Sequence, residues 1–419
     1  MQRHNHILGT GTAVVVLLAA ATVLVACGGG SSAGGSATPT AVAHAETADT
    51  PVDPAIVAAD NAFGLRLLDT LLPGSDGDNI AISPLSAALA LQILYNGAAG
   101  STQQAMAQAL ELGALSDAAL NDDNAALQAS LINPDPKVQL TIANSLWIEQ
   151  TGSPVIPSFT QTDETYYGAM LGNIAGAPDN VNAWVNSETH GLIPTLLPPG
   201  RYHDAIIANV LYFKGEWTTE FDPNQTVAAP FTLSGGREVS AELMHQTGSI
   251  GYAAGNLHGT HFQAARIPYG QGRLNMLIIL PDVGADVTEF VANMTIADFS
   301  GVISQLQQST VILALPRFSA SYATSLIPAL ASLGMGIAFG PSADFSALAP
   351  GFRVNIVEHK TVVEVDESGT VAAAATGIGL ASIVAQQQYT MTMDHPFFYA
   401  IQDDKTGELL FIGVLMSPS

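Results

Sequence analysis

The sequence is short of cysteine, of charge and above all of basic charge. Its one cysteine among 419 residues excludes an intrachain disulfide framework and any zinc site built on several thiolates. Charged residues make up 11%, and acid outnumbers base three to one, 36 Asp and Glu against 12 Lys and Arg, for a net charge of -24. Neutralising a phosphate backbone needs clustered Lys and Arg, so nucleic acid is excluded as a partner. The same shortage argues against sulfated, heparin-like polyanions and against anionic lipid held by a basic patch. Two catalytic motifs are missing as well, the His-Glu-x-x-His helix and the Gly-x-x-x-x-Gly-Lys phosphate loop, and Gly-x-Ser-x-Gly occurs only as Gly30-Ser31-Ser32-Ala33-Gly34, in a glycine- and serine-rich stretch whose composition suits no strand-to-helix elbow. His258 and His261 have a ligand-like spacing in a Gly/Asn-rich segment with no third ligand nearby, which reads as a surface turn. Gly377-Ile378-Gly379 fails the dinucleotide pattern at its third glycine. No metal and no cofactor are expected; ten scattered histidines leave a Ser-His-Asp hydrolase open by count, with nothing in the pattern pointing to one.

What is present begins with an address. Arg3, His4 and His6 precede an apolar run from Ala13 to Ala26, too short for a comfortable membrane span and suited to a signal-peptide core. The run ends in Leu24-Val25-Ala26-Cys27, which resembles the bacterial lipoprotein cleavage box. That resemblance implies removal of residues 1–26 and lipidation of Cys27, and so a membrane partner; an ordinary secretory signal with an incidental cysteine is the alternative. Two lipid signals on one residue suffice for stable anchoring. Residues 27–54 are Gly, Ser, Ala, Thr and Pro with almost no large apolar side chains, a flexible tether spanning roughly 30 Å as a random coil. The expected location is exported and lipid-anchored at the cell envelope, and the glycine after Cys27 favours outer-membrane sorting in a cell that has one.

From 55 to 419 no second linker or repeat interrupts the chain, so one domain is expected. Ile56–Leu72 carries Ala62, Leu65, Leu68 and Leu72 at helical spacing and stops at Pro73-Gly74. Asn79–Ser86 reads as a short strand running into a helix, with Ser83 as N-cap, Pro84 at the first helical position and a stop at Asn96-Gly97. Strands are predicted at Val138–Trp147, Asp204–Phe213, Leu274–Leu280, Thr310–Leu315 and Phe352–Val365, the last three as strands buried on both faces. Helices first and long strands later give a mixed α/β (α+β) class with one large sheet.

Between Glu367 and Asp394 lie 26 residues without a charge or a proline. A linker or a surface helix is the plain reading of so much alanine. Gly369, Gly377 and Gly379 weaken a helix, however, and the lack of proline lets every residue donate to a ladder. Thr370, Ala372, Ala374 and Thr376 would form one small-residue face, able to lie between strands without overpacking a core. The segment can therefore be an exposed loop or a strand.

Glu367-Ser368-Gly369-Thr370-Val371-Ala372-Ala373-Ala374-Ala375-Thr376 resembles the hinge of an inhibitory serpin. Asn79–Ser86, Ala143–Trp147, Asn209–Trp217, Asp344–Leu348, His395–Phe398 and Thr406–Val414 are similar to other serpin signatures, in the same order. The resemblance implies one domain of three β-sheets and eight or nine helices, with an exposed reactive loop near the carboxyl end. It implies a monomeric suicide-substrate inhibitor, not an enzyme, whose partner is a target serine protease. Ser83, Ser86, Asn209 and His359 match the polar cluster beneath the centre of the main sheet, which must part to admit a strand. Trp217, Arg317 and Glu367 match the group at the top of that sheet, Arg317 standing where the family usually has lysine. Val371 replaces a common acidic residue at a position facing solvent after insertion.

Two counts place the scissile bond. Fourteen residues beyond the hinge glycine gives Ile383-Val384; counting back from Pro396 gives Ala385-Gln386. The hinge count has the stronger basis, because the inserted length must match the height of the sheet. The candidates Ser382, Ile383, Val384 and Ala385 are small or aliphatic, and no Lys, Arg, Phe, Trp or Tyr occurs from Ser368 to Gln388. That composition suits elastase-like or subtilisin-like proteases and not trypsin-like ones, with papain-like cysteine proteases as an alternative. A serpin-fold binder without inhibitory activity and an unrelated surface-anchored hydrolase are the rival classes.

Overall fold

The structure is a computed structural model that describes residues 50–75, 77–149, 154–292, 294–369 and 388–418. The signal, most of the tether with Cys27, the hinge from Thr370 to Thr376 and the bond candidates Ser382–Ala385 lie outside the described residues.

Helix α1 spans Pro54–Leu71, capped by Asp53, whose side chain accepts from the Ala55 amide at 2.9 Å. This first described helix begins at Pro54, the last residue of the expected tether. β1 (Ile80–Ile82) leads through the N-cap Ser83 into α2 (Pro84–Gly97), with proline at its first position as anticipated. α2 is buried almost all round, so its apolar character reflects core position rather than a surface stripe. The remaining helices are α3 (Gly100–Ala109), α4 (Asp117–Leu131), α5 (Pro157–Tyr166), α6 (Asp179–Glu188), α7 (Val287–Val291), α8 (Ile296–Ser304) and α9 (Ile327–Leu330).

Strands β2 (Val138–Ile148), β3 (Met170–Asn173), β4 (Ala205–Gly215), β5 (Val227–Thr232), β6 (Glu238–Leu257), β7 (Thr260–Pro268) and β8 (Leu274–Pro281) precede β9 (Gln307–Pro316) and β10 (Phe318–Ser325). β11 (Ile356–Val365), β12 (Gln388–Thr392), β13 (Phe397–Asp403) and β14 (Leu409–Leu415) complete the set. Five strands form one sheet in the order β10-β11-β4-β2-β3. The other nine form a second network, β1-β14-β13-β8-β7-β6-β9-β12, with β5 added to β6. The long β6 pairs β9 along one edge, while its other edge is taken first by β5 and then by β7. Two sheets share this strand, and with the five-stranded sheet they make up the expected three.

Of the three strands expected to be buried on both faces, only β8 is buried throughout. β11 alternates and begins at Ile356 rather than Phe352, because the preceding Phe352 and Val354 pack into the core without joining the ladder. β9 is exposed or half-buried from Gln307 to Thr310 and exposed again at Ile312, with Val311 buried between them. His258 and Gly259 form the two-residue turn of the β6–β7 hairpin, with φ of 51° and 92°, the turn that the sequence suggested.

Candidate functional site: the seam between β4 and β11

β4 and β11 are neighbours and parallel, whereas their outer partners β2 and β10 run antiparallel to them. Their pairing runs from Ile206–Ile356 to Tyr212–Val362 and stops there. The last three residues of each strand lie beyond it. An open cavity of about 330 Å3 adjoins this end, lined by Tyr212, Phe213 and Lys214 of β4 and by Val362 and Glu364 of β11.

Beneath the centre of the seam the four polar residues expected to cluster do meet. Asn209 and His359 are cross-strand partners, and Asn144 on β2 is the partner of Asn209 on its other side. The Asn209 amide group donates toward the Ser86 carbonyl at 2.6 Å and toward Ser86 Oγ and Asn144 Oδ1 at 2.5 Å. Ser83 Oγ accepts from the Ser86 amide at 3.1 Å, capping α2. The Ser83 amide donates to His359 Nε2 at 3.1 Å, so Nε2 is the acceptor. Nδ1 therefore carries the proton and donates to Asn209 Oδ1 at 2.7 Å. Burial holds His359 neutral by pushing its pKa down to about 4. Ser83, Ser86 and His359 are fully buried and Asn209 nearly so, which makes each of these bonds costly to lose. Asn144 escaped the sequence reading. It lies inside the Ala143–Trp147 signature, but Gln139, Thr141 and Ser145 on the same strand are polar too, so its polarity did not single it out.

At the top, the chain leaving β11 is tied to the chain leaving β4 by loop hydrogen bonds instead of a ladder. The Trp217 indole donates to the Asp366 carbonyl at 2.8 Å, and the Trp217 amide to the Ser368 carbonyl at 3.1 Å. The Phe221 amide donates to the Glu367 carbonyl at 2.8 Å. Trp217 stacks on Tyr269 at 4.2 Å between ring centroids, fixing the platform. Glu367 is buried, and burial alone would push its carboxyl up. Hydrogen bonds from both nitrogens of the Arg317 fork and from Thr226 Oγ1, the last at 2.6 Å, bring it below the ordinary value. Trp217, Arg317 and Glu367 thus stand together as expected, and Thr226 joins them unannounced by any pattern. Gly369 has a φ of 74°, and a Cβ there would lie 2.4 Å from both the Gly215 carbonyl oxygen and the Trp217 nitrogen. Only glycine fits where the chain turns back from β11 toward β4.

Among the described residues no group of three or more His, Cys, Asp or Glu side chains could hold a metal, and no helix is long and apolar enough to cross a membrane.

Comparison with known proteins accords with this geometry. The family model "Serpin (serine protease inhibitor)" matches residues 58–418. Iripin-2 of Ixodes ricinus is 32% identical over 370 residues, covering 85% of this chain and 92% of its own. The leukocyte elastase inhibitor of Bos taurus is 30% identical over 383 residues, covering 86% and 99%. Among solved structures, the thermophilic serpin tengpin in its native state superposes with a TM-score of 0.80 at 30% identity, covering 88% of this chain and 95% of that one. Family match, relatives and the parallel seam agree, and the chain belongs to the serpin family.

Proposed function

We propose that this serpin is a suicide-substrate inhibitor of serine proteases with elastase-like or subtilisin-like specificity, held at the cell envelope by lipid on Cys27. The observation that carries the reading is the direction of the strands. A segment following Gly369 would run back antiparallel to β11, and between two parallel strands it would be antiparallel to both, the geometry in which a new central strand pairs on each side.

The chemistry belongs to the protease. Its serine attacks the carbonyl carbon of Ile383, the peptide bond to Val384 breaks, the new amine of Val384 departs, and an ester joins Ile383 to the enzyme. Residues 370–383, moving into the seam at ~3.3 Å each, carry the bound enzyme roughly 46 Å. The ladder between β4 and β11 and the Asn209–His359 bond break, and the inserted strand supplies new partners. Distortion of the protease then stops water from completing hydrolysis. Inhibition is a race between insertion and deacylation. The aliphatic residues around Ile383 support the target class, as does the relative that inhibits leukocyte elastase. The shortage of Lys and Arg supports action without a heparin-like cofactor.

Titration with pancreatic elastase and with subtilisin tests the reading. A complex that survives boiling in detergent at close to one inhibitor per enzyme is expected, with the released fragment starting at Val384. Clean cleavage without a complex would overturn it.

A further inference from the structure

A second polar group lies where α1, α2 and the turn before β14 meet. Asp60 on α1, Gln92 on α2 and Glu408 ahead of β14 are all fully buried. Gln92 Nε2 donates to Asp60 Oδ1 at 2.8 Å. Asp60 Oδ2, Gln92 Oε1 and both carboxyl oxygens of Glu408 have no hydrogen-bond partner. The turn is pinned in place, since Asn61 Nδ2 donates to the Gly407 carbonyl at 3.0 Å and the Leu409 amide to Asn61 Oδ1 at 2.8 Å. That clamp fixes the backbone on both sides of Glu408.

Every unpaired atom in this group is an acceptor, so the group needs positive charge or protons. The neighbouring cation is committed: Arg273 donates to both carboxyl oxygens of Asp403, at 2.7 and 3.1 Å. Lys405 on the same turn is exposed, and Arg66 of α1 pairs with Glu111 at the surface. The remaining titratable groups nearby, Tyr167 and Asp163 beside α5, bring no positive charge. Among the described residues no three His, Cys, Asp or Glu side chains gather here to hold a metal ion.

We propose that Asp60 and Glu408 form a buried proton-binding pair that stays protonated through neutral pH, so that folding takes up protons and acid strengthens the native conformer. Burial acts on both carboxyls in that direction, raising Asp60 to about 8 against the opposing Gln92 hydrogen bond and Glu408 well above its usual value, with repulsion from Asp60 and from Asp403 adding to the effect on Glu408. The unfolded chain ionises both near pH 4. The pair's stabilisation is therefore full below that value and is lost as pH rises toward 8 and beyond, by about tenfold in the folding equilibrium per pH unit for each proton held.

Potentiometric titration of native and guanidinium-unfolded protein from pH 6.5 to 8, on the wild type and on Glu408→Gln, tests the proposal. The comparison cancels the histidines. Native wild type should bind about one proton more than the variant at pH 7, and the variant should resist denaturant better than wild type at pH 8 but not at pH 5. A measurement needing no change at the pair is the infrared stretch of a protonated carboxyl, read at neutral pH in an Asp163→Asn background. It should be present in that protein and diminished when Glu408→Gln is added. Equal proton counts in wild type and Glu408→Gln, absence of the carboxyl band, or stability that rises with added sodium or calcium at constant ionic strength would each overturn the proposal.

Discussion

Asn209 and His359 occupy the same register position on β4 and β11 and are joined across the seam by a 2.7 Å hydrogen bond from His359 Nδ1 to Asn209 Oδ1. The bond lies at the centre of the seam, and its geometry admits one protonation state. Protonating Nε2 would set two donors face to face, the imidazolium and the Ser83 amide.

Acid should therefore loosen the seam. The folded pKa, near 4, lies below the unfolded value of about 6.5, so the His359 contribution is fully present above pH 6.5 and is lost as pH falls toward 4. The loss amounts to about 3 kcal/mol. The His359 Cε1–H proton signal should keep its neutral shift down to about pH 4 in the native protein. His359→Gln should remove this acid-labile component of stability, leaving the opposite slope of the Asp60–Glu408 pair. A histidine titrating near pH 6.5 in the folded state would contradict the assignment.

Much of this seam was legible in the sequence because its parts are local. Ser83-Pro84 is an N-cap followed by a first-turn proline, and each acts within one turn of helix. Asn144 and Thr226 were not legible, since their roles come from cross-strand register and from a loop folding back over Glu367. Periodicity also overestimated β11, whose Phe352 and Val354 are apolar to fill the core rather than to extend the ladder. Glu408 gave no sign at all: in the sequence it is one acid among 36.

Arg317→Ala should unfasten the top of the sheet. Glu367 would keep only Thr226 as a side-chain donor while remaining buried. Arg317 is half exposed and water screens the pair, so a loss of about 1 to 2 kcal/mol is expected. Melting temperature should fall, and inhibitory activity should decay faster on warm incubation as the loop inserts without cleavage. Arg317→Lys keeps the charge but not the two-pronged contact and should lose less. Equal decay in Arg317→Ala and wild type would separate this contact from control of the seam.

Gly369→Ala should be among the most damaging single-methyl changes in the chain. Its φ of 74° penalises any L side chain by about 1 to 2 kcal/mol. The added carbon would also meet the Gly215 oxygen and the Trp217 nitrogen, both backbone atoms that cannot rotate aside. The Ser368–Trp217 bond should break, and hydrogen exchange at the Trp217 amide should speed up before exchange in β4 does. Protection of that amide equal to wild type would show that the turn has another way to relax.

Thr370→Arg separates docking from trapping. Residue 370 is the first to pass beyond Gly369 and would be the first to slip between β4 and β11, where pairing already stops short of the strand ends. A long cation there carries a desolvation cost that threonine does not. It lies thirteen residues before Ile383, so the protease's contact with the bond is unaltered. Acylation should proceed at the wild-type rate while insertion slows, and deacylation should win the race. The variant should be cut by elastase after Ile383 at an unchanged second-order rate, with the yield of detergent-stable complex reduced by tenfold or more, an order-of-magnitude expectation for a barrier about 1.4 kcal/mol higher. Trypsin should trap on neither form, because neither presents Lys or Arg at Ile383. A full yield of elastase complex from Thr370→Arg would mean that trapping does not depend on strand insertion through this end of the seam.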